Sequence, residues 1–362
     1  FTSQDAVTRG GFVCLPELAT EAFGSKWNTA LNITDGNAAC ITFGANLFVA
    51  GGSFSSGGTF PCVITSPDAI TWTQTNIPGV TIQNLIRRIA FANSTFVAGG
   101  FGGVYGGFSY SGDIYYSTDG LTWVTSDSKA PADMNGLAYG NGKWVGVCTI
   151  NTSPSQFTPI TSTNNGVTWT NGTVQTSFGG ATDLFFYNGV FILTTSASKI
   201  VTSVDGITWT LAANLSALFS PIAITFGNGV FCALGSGGAI AISTDLTTWN
   251  LVQASYTSPA YLFNDIDFFN GRFIAVGINY GTSTTVILTS IYGTNWALSD
   301  TGIGLAALEP ASQSLANGNN TSVVINSLNS ATYDAIYSYS APLQNIYASG
   351  IYSDPNNIGQ TW

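Results

Sequence analysis

Few side chains in this sequence are able to do acid–base, nucleophilic or metal chemistry, and their types narrow what the chain can do. Histidine is absent. That removes Ser-His-Asp and Cys-His catalysis, in which an imidazole takes the proton of the nucleophile, and it removes mixed Cys/His zinc sites. The five cysteines, Cys14, Cys40, Cys62, Cys148 and Cys232, are odd in number and follow no zinc spacing. They read as buried thiols acting as small apolar side chains, with a single disulfide as the alternative. Glu17, Glu21 and Glu309 are the only glutamates, beside fifteen aspartates. A two-carboxylate hydrolase needs a pair aimed at one point. Asp265 and Asp267 are two residues apart and share a strand face, but at the start of a strand they read as solvated edge carboxylates. Arg87 and Arg88 are neighbours, so their side chains diverge. The reading assigns no catalytic residue, no metal ligands and no cofactor.

Charge excludes further classes. Eight Lys plus Arg stand against eighteen Asp plus Glu, a net charge of −10. Nucleic-acid binding needs a basic stripe, and anionic lipid attracts basic clusters; the sequence has neither. No apolar run approaches the roughly 18 residues that span a bilayer, so neither nucleic-acid binding nor membrane insertion is expected. Charged residues make up only 7% of the chain, while Gly (42), Phe (23), Tyr (15) and Trp (9) are abundant. Such aromatic content rules out a disordered chain. The chain starts at Phe1, so a leader or propeptide upstream is expected to have been removed or left out.

The elements that must position these residues repeat. Trp72, Trp123, Trp169, Trp209, Trp249 and Trp296 recur about every 40–50 residues, the size of a four-stranded blade. Each closes a turn. Ser117-Thr118-Asp119-Gly120-Leu121-Thr122-Trp123 and Ser203-Val204-Asp205-Gly206-Ile207-Thr208-Trp209 are full copies. Ser66 to Trp72, with Asp68, and Ser243 to Trp249, with Asp245, vary the glycine. Ser162 to Trp169 carries one extra residue, Ser290 to Trp296 is degraded, and Ser353 to Trp362 is longer still. Before each turn lies a hairpin such as Tyr139-Gly140-Asn141-Gly142-Lys143-Trp144 or Phe226-Gly227-Asn228-Gly229-Val230-Phe231. Asn-Gly between aromatic and β-branched runs marks a type I′ turn, which needs positive φ at both central residues. A weaker seventh hairpin is expected between Val323 and Ser340. Leu15 to Ala22 reads as one short turn of helix.

The Ser-x-Asp-Gly-x-Thr-Trp turn resembles the Asp-box, or bacterial neuraminidase repeat, of sialidase-like propellers, over residues from about 60 to 300. The resemblance implies an all-β, seven-bladed β-propeller with Asp-box turns. Residues 1–36 then form an N-terminal segment packing on or completing the last blade, and 37–362 a single propeller of about seven repeats. In that family the boxes lie away from the catalytic face. Asp68, Asp119, Asp205 and Asp245, with Trp72, Trp123, Trp169, Trp209 and Trp249, are therefore expected to be structural: Asp accepts backbone N–H groups within its own turn, and Trp covers the turn. Sialidase chemistry, as the family implies, needs three convergent Arg, a Tyr–Glu pair and an Asp acid. Only Arg9, Arg87, Arg88 and Arg272 are available, and Arg272 sits in an Asn-Gly turn on the wrong end.

What remains is a binding surface. Connections between the second and third strands face the other end, and loops beyond the needed length tend to carry function. Tyr105, Phe108, Tyr110, Phe157 and Tyr280 are the expected binding residues there, through stacking on sugars or packing on a protein; the alternative is that the rings fold back as local anchors. The low charge and Asn-Gly repeats look like those of phage tail and fibre proteins. The function expected is a non-enzymatic extracellular or virion-surface protein, present in multiple copies, contacting a host-surface glycan or protein or neighbouring virion proteins. A secreted glycan-active hydrolase of sialidase-like fold is the alternative. Propellers that help build photosystem II are a third comparison; by resemblance they use a basic patch, for which this chain has too few Arg.

Overall fold

In a computed structural model, the described residues are 36–54, 60–77, 85–100, 112–256, 261–279, 281–282, 284–304, 315–319 and 321–326, together with the backbone of short strands at 8–9, 12–13, 28–33, 103–105, 108–110 and 334–340. They form a β-propeller. The aromatic and β-branched runs become strands, and each Asn-Gly pair becomes a two-residue hairpin turn with positive φ at both residues, as at Asn141 (φ 49) and Gly142 (φ 75), the geometry that matches strand twist.

Six four-stranded blades follow one another along the chain, each from one repeat. Their inner strands are Gly36–Gly44, Ile86–Ala92, Asp133–Gly140, Ala181–Tyr187, Pro221–Gly227 and Tyr261–Phe269. A further four-stranded sheet is composite. Leu315–Gly318, Thr321–Asn326 and Asp334–Ser340 come from the C-terminal part, and Asn28–Ile33 from the N-terminal part pairs with Asp334–Ser340 as the outer strand. Its inner strand stands between those of blade 6 and blade 1.

The expected seven-bladed array of equivalent repeats is therefore corrected to six repeats making six blades. The sheet that closes the ring is not a seventh copy. Its outer strand arrives from the other end of the chain, so the sheet is not formed from one continuous repeat. The degraded Ser353 to Trp362, counted as a further turn, lies outside the described residues, as do Leu15 to Ala22 and Trp27.

Every inner strand of the six blades carries a β-bulge at the same place. The extra residues are Ala39, Arg87, Asn135, Thr182, Ile222 and Asn264. A bulge bends the strand and resets which face the following side chains occupy. Four residues beyond it stand Phe43, Phe91, Tyr139, Phe186, Phe226 and Phe268, one aromatic per blade.

These rings join the blades. The rings of Phe91, Phe186, Phe268 and Phe43 lie where Cβ atoms on Gly44, Gly140, Gly227 and Gly318 of the preceding sheet would stand, so those positions have no room for a side chain. Between blades 4 and 5, Tyr187 replaces the glycine and stacks on Phe226 with centroids 3.9 Å apart. The core is thus a belt of apolar clusters, each shared by two adjacent blades.

Candidate functional site

The two ends of the ring differ. At one end lie the Asn-Gly turns and the Ser-x-Asp turns, and their polar atoms are taken up by the fold. One oxygen of Asp119 accepts the N–H groups of Leu121 (2.8 Å) and Thr122 (2.7 Å) and the Ser117 hydroxyl (2.9 Å). Asp68, Asp205 and Asp245 repeat the pattern, and Asn164 takes the place of Asp in blade 3. The N–H groups of Thr71 and Ile70, with the Ser66 hydroxyl, hold the Asp68 carboxyl down at about 2. Those of Thr248 and Thr247 do the same for Asp245, also about 2.

The tryptophans cap these turns. Trp123, Trp169, Trp249 and Trp296 donate Nε1–H to the carbonyl of the turn residue three before, whereas Trp72 and Trp209 bury Nε1 without a hydrogen bond. Each turn also packs on the preceding blade. Gly206 holds φ +73 and lies against Val145, so both its backbone and its contact exclude a side chain. Asn141 then donates to the carbonyls of Gly189 (2.8 Å) and Val204 (2.9 Å) in the next blade, and Asn228 to Ile291 (2.6 Å). The turn asparagines are thus blade-to-blade fasteners, and each turn aspartate commits one carboxylate oxygen to its own turn.

The channel is where charge gathers. A cavity of ≈ 240 Å³ is lined in part by Arg88, Asp183, Asp265, Asp267, Thr225 and Asn317. Arg88, Asp183 and Asp265 hold one equivalent position, the residue after the bulge, in blades 2, 4 and 6; Cys40, Gly136 and Ala223 hold it in blades 1, 3 and 5. The two aspartates act alike. Asp183 accepts Leu184 N–H (2.9 Å) on one oxygen and Ile224 N–H of blade 5 (3.0 Å) on the other. Asp265 accepts Ile266 N–H (2.9 Å) and Leu315 N–H of the closing sheet (2.9 Å). Asp267 accepts Phe268 N–H (2.7 Å) and Asn317 Nδ2–H (2.6 Å). Arg88 crosses the channel wall to the Thr182 carbonyl.

Burial in this polar channel shifts all four. It raises Asp183 and Asp267, lowers Arg88, and, with Asp183 adding to it, pushes Asp265 up to about 8. Burial likewise pushes the Cys40 thiol up to about 12, which keeps it a neutral thiol against the carbonyls of Gly51 and Ile86. Each carboxylate oxygen of the three aspartates thus already has a backbone or amide partner. Among the described residues, no group of three or more Cys, Asp or Glu side chains is arranged to hold a metal ion.

The residues chosen from the sequence fall in several places. Phe157 is fully buried in the blade 3–4 core, edge-on to Trp209 (5.8 Å) and stacked on Phe178 (6.4 Å). It is corrected from a binding residue to a packing one, because the strand Gln156–Ser162 already starts before it and turns its side chain inward. Tyr105, Phe108 and Tyr110 lie on a small hairpin, Gly103–Tyr105 paired with Phe108–Tyr110, inserted between the second and third strands of blade 2. Their backbone register sets Tyr105 opposite Phe108 and Gly103 opposite Tyr110. Tyr280 lies outside the described residues.

Sequence reading missed the channel group. Asp265 and Asp267, read as solvated strand edges, lie well inside Tyr261–Phe269 and bond the neighbouring sheet. The signal was available: counting back three residues from the repeated aromatic reaches Arg88, Asp183 and Asp265 alike.

No protein-family model matches the sequence, and no curated protein does. Solved structures do resemble it. YCF48 bound to D1 peptide superposes with a TM-score of 0.60 at 16% identity, covering 87% of this chain and 96% of that one. YCF48 from Cyanidioschyzon merolae gives 0.57 at 15% identity, covering 86% and 97%. The computationally designed Ika8 protein gives 0.50 at 12% identity, covering 85% and 98%. At such identities the likeness is one of fold: this chain is a β-propeller.

Proposed function

We propose that this protein is a non-enzymatic binding and structural scaffold of an extracellular or virion assembly, and that it grips a protein partner at the end of the ring away from the Asn-Gly and Ser-x-Asp turns. The observation that carries this reading is the unequal use of the two ends. Turn-end polar groups bond largely within their own turns or, for Asn141 and Asn228, to the neighbouring blade, while the blade 2 connection at the other end spends its length on an extra hairpin bearing Tyr105, Phe108 and Tyr110. Aromatic side chains on a small-residue hairpin suit a protein interface. The YCF48 structure bound to D1 peptide lends support, as a propeller of similar fold that holds a peptide.

The channel carboxylates favour the non-catalytic side of the reading. A general acid or nucleophile must present a free oxygen to substrate, and those of Asp183, Asp265 and Asp267 are engaged in joining blades. The test is to delete residues 103–107 and measure binding to purified particle proteins and to a glycan array. Loss of protein binding with an unchanged melt supports the reading. Retained protein binding, or glycan turnover by the intact chain, overturns it.

A further inference from the structure

The seams of the ring are not alike. Where the closing sheet meets blade 1, Phe43 packs into the space left by Gly318. Where it meets blade 6, the equivalent aromatic is missing. Asn317 stands in its place and Phe269 in place of the glycine. This seam is held by polar fasteners instead: Asp265 to Leu315 N–H, Asp267 to Asn317 Nδ2–H, and Asn317 Oδ1 in turn to the Ser322 hydroxyl (2.6 Å). Among the described residues its apolar share is small, with Leu315 packed on Ile274, Val276 and Ile287 beside Phe269. Between blades 4 and 5, by contrast, the Asp183 fastener is backed by the Tyr187–Phe226 stack.

We propose that the seam between Tyr261–Phe269 and Leu315–Gly318 is where the propeller ring opens and recloses, and that the ionisation of Asp265 and Asp267 controls how readily it does so. Regions open first where apolar contact is least, and only this seam, among the described ones, has an amide in place of the aromatic, bonded to one of the two carboxylates that hold the seam. The charged and titratable groups facing Asp265 are Asp267 on its own strand, Asp183 from blade 4 and Arg88 from blade 2. The closing sheet contributes the uncharged Leu315 N–H and Asn317 amide. Three carboxylates thus face one guanidinium, and the closed seam is most comfortable with Asp265 protonated.

The sign follows. In the opened ring Asp265 returns to an ordinary carboxylate, while in the closed ring it keeps its proton up to about 8. Closure is fully favoured below the ordinary carboxylate range and is progressively lost as pH rises through about 8. Raising the pH unlatches the seam.

Hydrogen exchange on the full chain, expressed as protection factors at pH 5 and pH 8.5, tests this. Protection of residues 315–318 should fall by at least about tenfold, the change expected when the closed ring holds one carboxyl proton tenfold more tightly than the opened ring does. Lys143–Ile150 of blade 3, remote from the seam, should change little. Asp265→Asn should flatten the dependence, and Asn317→Ala, which removes the amide that bonds Asp267, should lower protection of residues 315–318 at both pH values while leaving Lys143–Ile150 unchanged. Equal protection at every seam overturns the proposal. So does a fall as large in Lys143–Ile150, or a pH dependence undiminished in Asp265→Asn. Should Asp265→Asn fail to fold, the unmodified chain and Asn317→Ala decide the matter alone.

Discussion

Arg88 Nη2 donates to the carbonyl oxygen of Thr182 at 3.0 Å, and this one bond ties blade 2 to blade 4 past blade 3. Blade 3 has Gly136 at the position of Arg88, and a Cβ there would come within 2.5 Å of Leu184 Cβ, so the packing of blade 4 requires the glycine. Arg88 is 5% exposed, and Asp183 is the charge that most favours its ionised form. A buried charge whose partner is removed costs about 3–5 kcal/mol. Arg88→Met should therefore lower stability by that order in a denaturant melt, and adding Asp183→Asn should restore part of it. A double variant no more stable than Arg88→Met would show that the two charges are not coupled.

The tryptophan turns make a second prediction. Trp209 is 5% exposed and packs on Phe157. Trp209→Ala should cost roughly 3–5 kcal/mol, as large aromatic truncations do. Asp205→Ala removes one acceptor serving Ile207 N–H, Thr208 N–H and the Ser203 hydroxyl and should cost about 1 kcal/mol, the scale of a local cap. Phe157→Ala should behave like Trp209→Ala. If it left the melt unchanged yet removed partner binding, its assignment to the core would be wrong.

Carboxylates act in opposite directions on the pH profile. Asp68 and Asp245 are held at about 2 by turn N–H groups, below the ordinary carboxylate value near 4. They contribute stability that is present above about 4 and lost as pH falls through about 2. Asp265, raised to about 8, contributes stability that is present below about 4 and lost as pH rises through about 8. The melting temperature should therefore peak in mildly acid solution and decline on both sides, with Asp265→Asn flattening the alkaline limb and leaving the acid limb in place. An alkaline limb unchanged by that substitution would remove Asp265 from the account.

What the sequence made legible was the local chemistry. Asn-Gly turns and Ser-x-Asp turns are decided within a few residues by φ and by side-chain acceptors, so Asp119 and Asp205 could be placed by inspection. The channel was hidden because Asp265 and Asp267 read as carboxylates at the start of a strand, whereas the strand already runs from Tyr261 and carries both into the cavity. The blade count from sequence comes out one too high because the C-terminal strands read as a further repeat, although the N-terminal strand Asn28–Ile33 does pair with Asp334–Ser340. Phe157 shows a further limit: an aromatic between two polar residues reads as exposed until the neighbouring blade supplies Trp209 to cover it.

The last prediction concerns binding, and it turns on the hairpin of blade 2. Gly103–Tyr105 and Phe108–Tyr110 pair as a two-stranded sheet of their own, separate from the four strands of the blade. Removing it leaves the blade's hydrogen-bond ladder, Gly112–Ser117 on Thr95–Gly100, without a missing rung. Deleting residues 103–107, or replacing Tyr105 and Tyr110 by Ser, should therefore leave the melt within about 0.5 kcal/mol, as surface changes do. Partner affinity should fall by about tenfold or more if the tyrosines are the anchoring contacts, since truncating such residues costs upward of 1 kcal/mol. In a particle carrying many copies the loss is magnified, because weak sites engaged together gain factors of roughly 10²–10⁴. Adsorption of whole particles should then drop further than single-copy affinity does. Unchanged adsorption, with particles assembled normally, would take this end of the ring out of the mechanism. Failed assembly by a variant that folds normally on its own would identify the partner as a neighbour within the particle instead of a host surface.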